Sequence, residues 1–416
     1  MPRALRLLSP GVLNRSNMLE PRDRLVVFAP NWLGDAVMAV PCLDAIRRRY
    51  PSAALAVAAR SHLAMLFDMV AGVDEVVPLG RAGRLGGWLA AVRDARRVRA
   101  GRFDVAILLP NSFRAAWIAR RAGIAERWGY ASDGRARILT RAVPRLRGGH
   151  QVKYYQRLLD GLGMSTESEV RSPESEVRSP VFALRASAGK PESGLLPSVR
   201  IDVPGDAREW ARAMLASKGW RKGDPLVGMA PGAAYGSAKQ WPPDRFVQLA
   251  VELAQTGVGT VLVGSPGDRG ACDDVARAVA GGSINLAGAT DLRQLAAVMG
   301  ECRSFVSNDS GAMHLAAAVG VPVVAIFGST NERETSPLPI APPVGPAQGT
   351  PGPRLHAIVA TDVWCRPCML RECPLDHGCM TRIDAARVKA EVELRLGPGP
   401  GPGPGTRDQG PGTKDH

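Results

Sequence analysis

The chain has 416 residues, 45% of them hydrophobic, a formal net charge of +14 and a pI near 10.0. That length exceeds what a single core usually supports, so two domains are expected, and no apolar run reaches the ~18 residues of a membrane-spanning helix. The basic surplus favours anionic partners or solvated arginine-rich faces, whereas the lack of a nucleic-acid-binding motif and an aromatic content of 5% argue against a base-stacking surface.

The first stretch, "MPRALRLLSPGVLNRSNMLEPRD", makes a poor signal peptide, because its apolar part is short and broken by Pro10. Residues 1–21 therefore read as a loose extension of a cytosolic protein. A strand over Arg24–Ala29 then meets a turn holding Pro30, Asn31, Gly34 and Asp35, and a helix is predicted over Ala36–Tyr50. A carboxylate at the point where a strand becomes a helix can cap that helix or face a ligand. Further strands are predicted at Ala54–Ala59, Glu75–Pro78 and Asp104–Leu109, with helices at His62–Val70 and Trp88–Ala100. This alternation implies a parallel sheet with right-handed crossovers. After the last of these strands, "LPNSFRAAW" offers Asn111, Ser112 and Arg114 either to a sugar or phosphate or to solvent.

"SEVRSPESEVRSP", Ser168–Pro180, is a tandem duplication that cannot bury apolar surface, and residues 165–195 read as a disordered insertion. The N-terminal domain is accordingly placed at 22–198. A second alternating series fills 199–395. Its strands are Pro225–Ala230, Thr260–Gly264, Ser304–Ser307 and Pro322–Phe327; its helices are Pro243–Thr256, Arg269–Ala280, Leu292–Met299 and Gly311–Val319. Residues 396–416 form a Gly/Pro-rich tail expected to be disordered.

Two strand ends in this half carry chemistry. "MAPGAAYGSAKQWPPDRF" places small residues, including Gly232 and Ala233, before Lys239, so backbone amides and an ammonium can approach an anion; a plain loop with a solvated lysine is the alternative. It lacks the spacing of a Walker loop. "FVSNDSGAMHLAAAVGVPVVAIFGST" ends a strand at Asp309 and starts a helix at Ser310 and Gly311, with His314 one turn further in. Unpaired amides at a helix start suit a diphosphate, although Asp309 or Ser310 could equally serve only as a cap. Of seven cysteines, Cys365, Cys368, Cys373 and Cys379 cluster as C-x2-C-x4-C-x5-C, which fits either reduced thiols in a loop or a zinc site without the usual paired spacing.

Taken together, "NWLGDAVMAVP", "PGAAYGSAKQWP" and "NDSGAMHLAAAVGVPVVAIFGST" resemble the ADP-heptose:lipopolysaccharide heptosyltransferases, glycosyltransferase family 9, from about Arg24 to Leu396. The segment "CRPCMLRECPLDHGCM" is similar to a stretch typical of the second heptosyltransferase of inner-core assembly rather than the first. The resemblance implies an α/β GT-B architecture of two Rossmann-like domains facing a cleft, with acceptor in the first and nucleotide sugar in the second. It also implies inverting transfer of L-glycero-D-manno-heptose from ADP-heptose to the first heptose of a lipid A-linked core, with no cofactor or essential metal. On that basis Asp35 is the expected base and Lys239 the cation that steadies the leaving ADP. Gly232, Ala233, Asp309, Ser310, Gly311 and His314 are assigned to the donor, and Asn31, Asn111, Ser112 and Arg114 to the acceptor. Peripheral contact with the inner face of the membrane is expected, and nucleic acid is not. A family member acting at another core position, or a non-catalytic binder of anionic lipid or nucleic acid, are the competing readings.

Overall fold

A computed structural model describes residues 24–80, 87–145, 148–164, 196–279, 283–339 and 356–396. The expected extension at 1–21, the insertion at 165–195 and the tail beyond Leu396 lie outside them.

The chain builds two six-stranded sheets in which every recorded strand pair is parallel. The first sheet contains β1 (Arg24–Phe28), β2 (Ala54–Arg60), β3 (Glu75–Leu79), β4 (Val105–Leu108), β5 (Glu126–Tyr130) and β6 (Arg141–Val143). The second contains β7 (Leu226–Ala230), β8 (Gly259–Leu262), β9 (Ser283–Asn285), β10 (Ser304–Asn308), β11 (Val323–Phe327) and β12 (Ala357–Ala360). Their orders are β3-β2-β1-β4-β5-β6 and β12-β11-β10-β7-β8-β9. Numbered within its own lobe, each sheet is therefore the doubly wound 3-2-1-4-5-6 arrangement. Ligands in such sheets sit beyond the strand carboxyl ends where the order reverses, here between β1 and β4 and between β7 and β10. The central strands, "LVVF", "LVGMA" and "VVAIF", are buried on both faces, as strands covered by helices on either side must be.

The helix expected at Ala36–Tyr50 is two pieces, Leu33–Met38 and Val40–Arg49, and it begins three residues earlier. Pro41 stands at the start of the second piece, where a missing amide hydrogen is tolerated, and it interrupts the ladder of the first. The stretch His62–Val70 keeps only one turn of helix, Ala64–Phe67. Its segment carries the lobe seam. Leu66 and Phe67 share one hydrophobic cluster with Ala296 and Ala297 of the second lobe. Alongside, Asp202 N donates to Met69 O at 2.7 Å and Arg293 pairs with Asp68 at 2.6 Å. A further link runs from His150, which caps the Gln151–Gly161 helix by accepting from Val152 N through Nδ1. Its Nε2 lies 3.0 Å from Ser336 O. Because Nδ1 accepts, Nε2 carries the hydrogen and donates across the seam, so the ring is the neutral Nε2–H form.

Candidate active site

The two switch points meet. The Leu33–Met38 helix, which leaves β1, packs against the Gly311–Val319 helix, which leaves β10. The approach is close because both contacting positions are glycine. A Cβ at Gly34 would stand 2.8 Å from His314 Cδ2, and one at Gly311 would stand 2.7 Å from Leu33 Cβ. Asp35 is the next residue along this contact.

Neither helix uses the residues in question as a side-chain cap. Trp32, at the N-cap of the first helix, makes no capping hydrogen bond, and Asp35 lies in its first turn. Ser310, at the N-cap of the second, turns its hydroxyl to Ser307 Oγ at 3.0 Å instead of to the helix amides. The capping alternatives therefore do not account for Asp35 or Ser310. Asp309 is also occupied elsewhere. Its Oδ2 accepts from Lys239 Nζ and from Thr330 Oγ1, both at 2.7 Å, in a site only 5% exposed.

Burial raises the Asp35 carboxyl to about 6; Lys239 opposes the rise and Asp309 adds to it. Both charges belong to the other lobe, whose Gly311–Val319 helix packs against the helix that carries Asp35. A group in this state is half ionised near pH 6 and mostly ionised at pH 7, which suits a proton acceptor. His314 is buried, and desolvation lowers its pKa to about 4, so its ring is neutral at pH 7. Its Nδ1 has no hydrogen-bond partner among the described residues. Its ring faces Gly34 of the first lobe.

The Lys239 loop is held by its neighbours. Asn308, at the end of β10, accepts from Trp241 N at 2.9 Å and donates to Pro231 O at 2.7 Å, tying the ends of β7 and β10 together. Lys239 Nζ also lies 4.9 Å from the Tyr235 ring centre, with the Arg371 guanidinium 5.1 Å from the same ring. At Gly232 a Cβ would collide with the Asp268 carboxylate, so glycine lets the loop pass close to that side chain. Ala233, next to it, is half-buried on the same loop.

On the opposite rim, the predicted acceptor residues separate. Asn111 Oδ1 accepts from Tyr154 Oη at 2.9 Å and Ser132 Oγ at 3.2 Å, an internal bracing role. Asn31, Ser112 and Arg114 share a small pocket with Arg60. Ser112 caps the helix that follows it, and Arg114 is fixed to buried Asp94 at 2.8 Å. Arg60, at the end of β2, donates from Nε to Asn31 Oδ1 at 2.9 Å and from Nη1 to Gly80 O. Arg60 and Thr330 were not singled out from sequence. Arg60 could have been found by asking which charged residues end a central strand; Thr330, after β11, gives no such signal.

Cys365, Cys368, Cys373 and Cys379 line one pocket of about 200 Å³ beside Ser329 and His377, and all are free thiols. Among the described residues no three His, Cys, Asp or Glu side chains stand close enough together to hold a metal ion. The loop that carries them braces the Lys239 loop: Arg371 O accepts from Ala238 N at 3.0 Å, and His377 Nε2 lies 3.0 Å from Ala238 O.

With the geometry established, comparison places the chain among known proteins. The profile of glycosyltransferase family 9 (heptosyltransferase) matches residues 92–377. Lipopolysaccharide heptosyltransferase 2 of Salmonella typhimurium is 30% identical over 325 residues, 76% of this chain and 85% of that protein. The structure of E. coli ADP-heptose lipopolysaccharide heptosyltransferase II superimposes with a TM-score of 0.65 at 24% identity, over 90% of this chain and 98% of that one. A family 9 glycosyl transferase from Veillonella parvula superimposes with a TM-score of 0.72, also at 24% identity, over 91% and 98% of the two chains. At that identity, the structural likenesses speak to the fold.

Proposed function

This chain belongs to glycosyltransferase family 9, the heptosyltransferases, and from that premise we propose that it moves L-glycero-D-manno-heptose from ADP-heptose onto the first heptose of the lipopolysaccharide inner core, with Asp35 as the base. The relatives named heptosyltransferase 2 support the acceptor assignment. The observation that carries the residue roles is the packing of the Asp35 helix of the first lobe against the helix that follows Asp309 in the second, where Asp309 is paired with Lys239.

In this mechanism the acceptor hydroxyl enters from the first lobe and gives its proton to Asp35. Its oxygen forms a bond to the anomeric carbon of the donor as the bond from that carbon to the diphosphate oxygen breaks. The electron pair leaves with ADP, and attack from the opposite face inverts the centre. Lys239 and the amides of Ser310 and Gly311 stabilise the charge that grows on the diphosphate. Asp309 orients Lys239 and, with His314 Nδ1, holds the donor. Asn31, Ser112 and Arg114 receive the anionic saccharide; Asn111 supports that rim from behind. The lipid-linked acceptor brings the protein to the inner face of the membrane.

The decisive assay is incubation with ADP-heptose and defined truncated cores, with and without the first heptose, followed by mass and linkage analysis. Transfer only to the core that carries the first heptose is expected; transfer to the core lacking it reassigns the position, and transfer to neither rejects the reading. Asp35→Asn should lose about 10²–10⁴-fold in rate while still binding ADP. Undiminished turnover in that variant removes Asp35 from the mechanism.

A further inference from the structure

The Gly87–Ala100 and Phe113–Ala122 helices lie side by side on the first lobe. Large apolar residues point outward from their N-terminal halves: Trp88 is 63% exposed, Leu89 64% and Phe113 45%. The Trp88 and Trp117 rings meet at 48° with their centres 4.1 Å apart. With Phe113 they wall an apolar cavity of about 260 Å³ that is open on the surface. Monomer surfaces carry single exposed apolar residues routinely, but a joined aromatic patch marks a contact face.

The charge around this patch has one sign. The two helices carry seven arginines (93, 96, 97, 99, 114, 120 and 121) and one acidic residue, Asp94. Asp94 is buried and neutralised from within by Arg114, with Arg97 3.7 Å away. Arg93, Arg96, Arg120 and Arg121 are exposed. At 3.6 residues per turn they fall on the same outward faces as Trp88, Leu89, Phe113 and Trp117. Arg114 also forms the wall between this cavity and the small pocket of Asn31, Arg60 and Ser112. The patch therefore borders the acceptor rim and leads away from the reacting atoms.

We propose that this face seats the enzyme on an anionic phospholipid bilayer, with Trp88, Leu89, Phe113 and Trp117 at headgroup depth and the exposed arginines against lipid phosphates. Tryptophan beside arginine is the side-chain set that a bilayer interface favours, and each basic residue near such a surface adds attraction. The inference rests on the lipid-linked acceptor proposed above and deepens it by naming the surface that meets the membrane.

The test is flotation of the full chain with phosphatidylethanolamine vesicles doped with phosphatidylglycerol, against phosphatidylcholine vesicles, at low salt. The chain should float with the anionic vesicles only. Trp88→Ser/Leu89→Ser and Arg120→Glu/Arg121→Glu should each weaken that binding by about tenfold or more. Heptose transfer to a soluble, deacylated acceptor should be unchanged in the Trp88→Ser/Leu89→Ser variant, which also reports that it folds, while transfer to an acceptor embedded in vesicles falls. Brominated lipid should quench tryptophan emission in the parent chain and quench it less in that variant. Variants that float like the parent overturn the proposal. So does loss of self-association, or of a protein partner, without loss of vesicle binding. Failure of transfer to the soluble acceptor bears on the proposed reaction alone, because flotation needs no chemistry.

Discussion

Asp35 shows how a single side chain is set by what two lobes do to it. Removal from water favours its neutral form, and the nearby ammonium of Lys239 recovers only part of the ionised population. Two outcomes follow. The kcat/KM for acceptor should decline about tenfold per pH unit below about 6, where the base becomes protonated, and level off above it. Because the folded-state value lies above the unfolded one, the folded protein binds the extra proton, and this group's contribution to stability falls as pH rises from about 4 to about 6. The shift from 3.8 to about 6 is equivalent to about 3 kcal/mol. Asp35→Asn should therefore raise the urea midpoint at pH 7.5 (at most by that amount) and leave it nearly unchanged at pH 4, which two denaturation curves can check. Lys239 behaves in the opposite sense. Lys239→Met leaves the Asp309 carboxylate buried without its cation and should cost about 2–4 kcal/mol. Adding Asp309→Asn to it should restore part of that loss, since an amide can be buried with Thr330 at less expense. Asp35, Lys239, Asp309 and His314 were all legible from sequence because each sits at a strand end or the first helical turn after one. Their pairing was not: the partners of Asp309 lie 70 and 21 residues away, a separation no local pattern encodes.

At the scale of elements, the sequence disclosed strands with continuous apolar runs and missed those without them. The β6 "RAV" and β9 "SIN" strands are three residues long and lie at sheet edges, where burial on both faces is not required, and β5 "ERWGY" opens on two charged residues that hide its buried end. The β12 strand "AIVA" follows a Gly/Pro-rich segment that hides its start. The Gln151–Gly161 and Ala385–Leu396 helices were missed also, and the second extends the fold one residue past the expected boundary of the tail. The load between elements falls on a few groups. Asn308 joins the ends of β7 and β10 with two hydrogen bonds in a fully buried site. Asn308→Ala strands a buried N–H and a buried carbonyl, so a loss of about 2 kcal/mol or more is expected in chemical denaturation, together with weaker ADP binding by calorimetry. Gly34→Ala places a methyl group 2.8 Å from His314 Cδ2. The lobes must part by a few tenths of an ångström or the ring must turn. An overpacking cost of about 1–3 kcal/mol is expected, with kcat reduced more than ADP affinity, because the seam and not the nucleotide loop is disturbed.

Over the whole molecule, the two lobes were expected from length and from the repeated alternation of strand and helix, and the paired six-stranded sheets bear this out. What length cannot give is how the halves are joined. They share a hydrophobic cluster, the Asp68–Arg293 pair and the His150–Ser336 hydrogen bond, and the candidate site lies on that joint. The ion pair is about 40% exposed on each side and should matter little: Asp68→Asn should change stability by less than about 1 kcal/mol. Nucleotide that bridges the joint should act on the fold as one unit. ADP at 100 times its dissociation constant should add about 2.7 kcal/mol of stability, read as a single shifted melting transition in scanning calorimetry. The matching strand order has a consequence of its own. Asp35 follows the first strand of its sheet, and Lys239 follows the first strand of the other; Ser112 and Ser310 likewise each follow the fourth. The enzyme is thus a pseudodimer folded from one polypeptide, and the proposed base and the proposed phosphate-holding cation are the same address read in two copies. Chemical asymmetry here needs no asymmetric scaffold, only unlike side chains at equivalent turns.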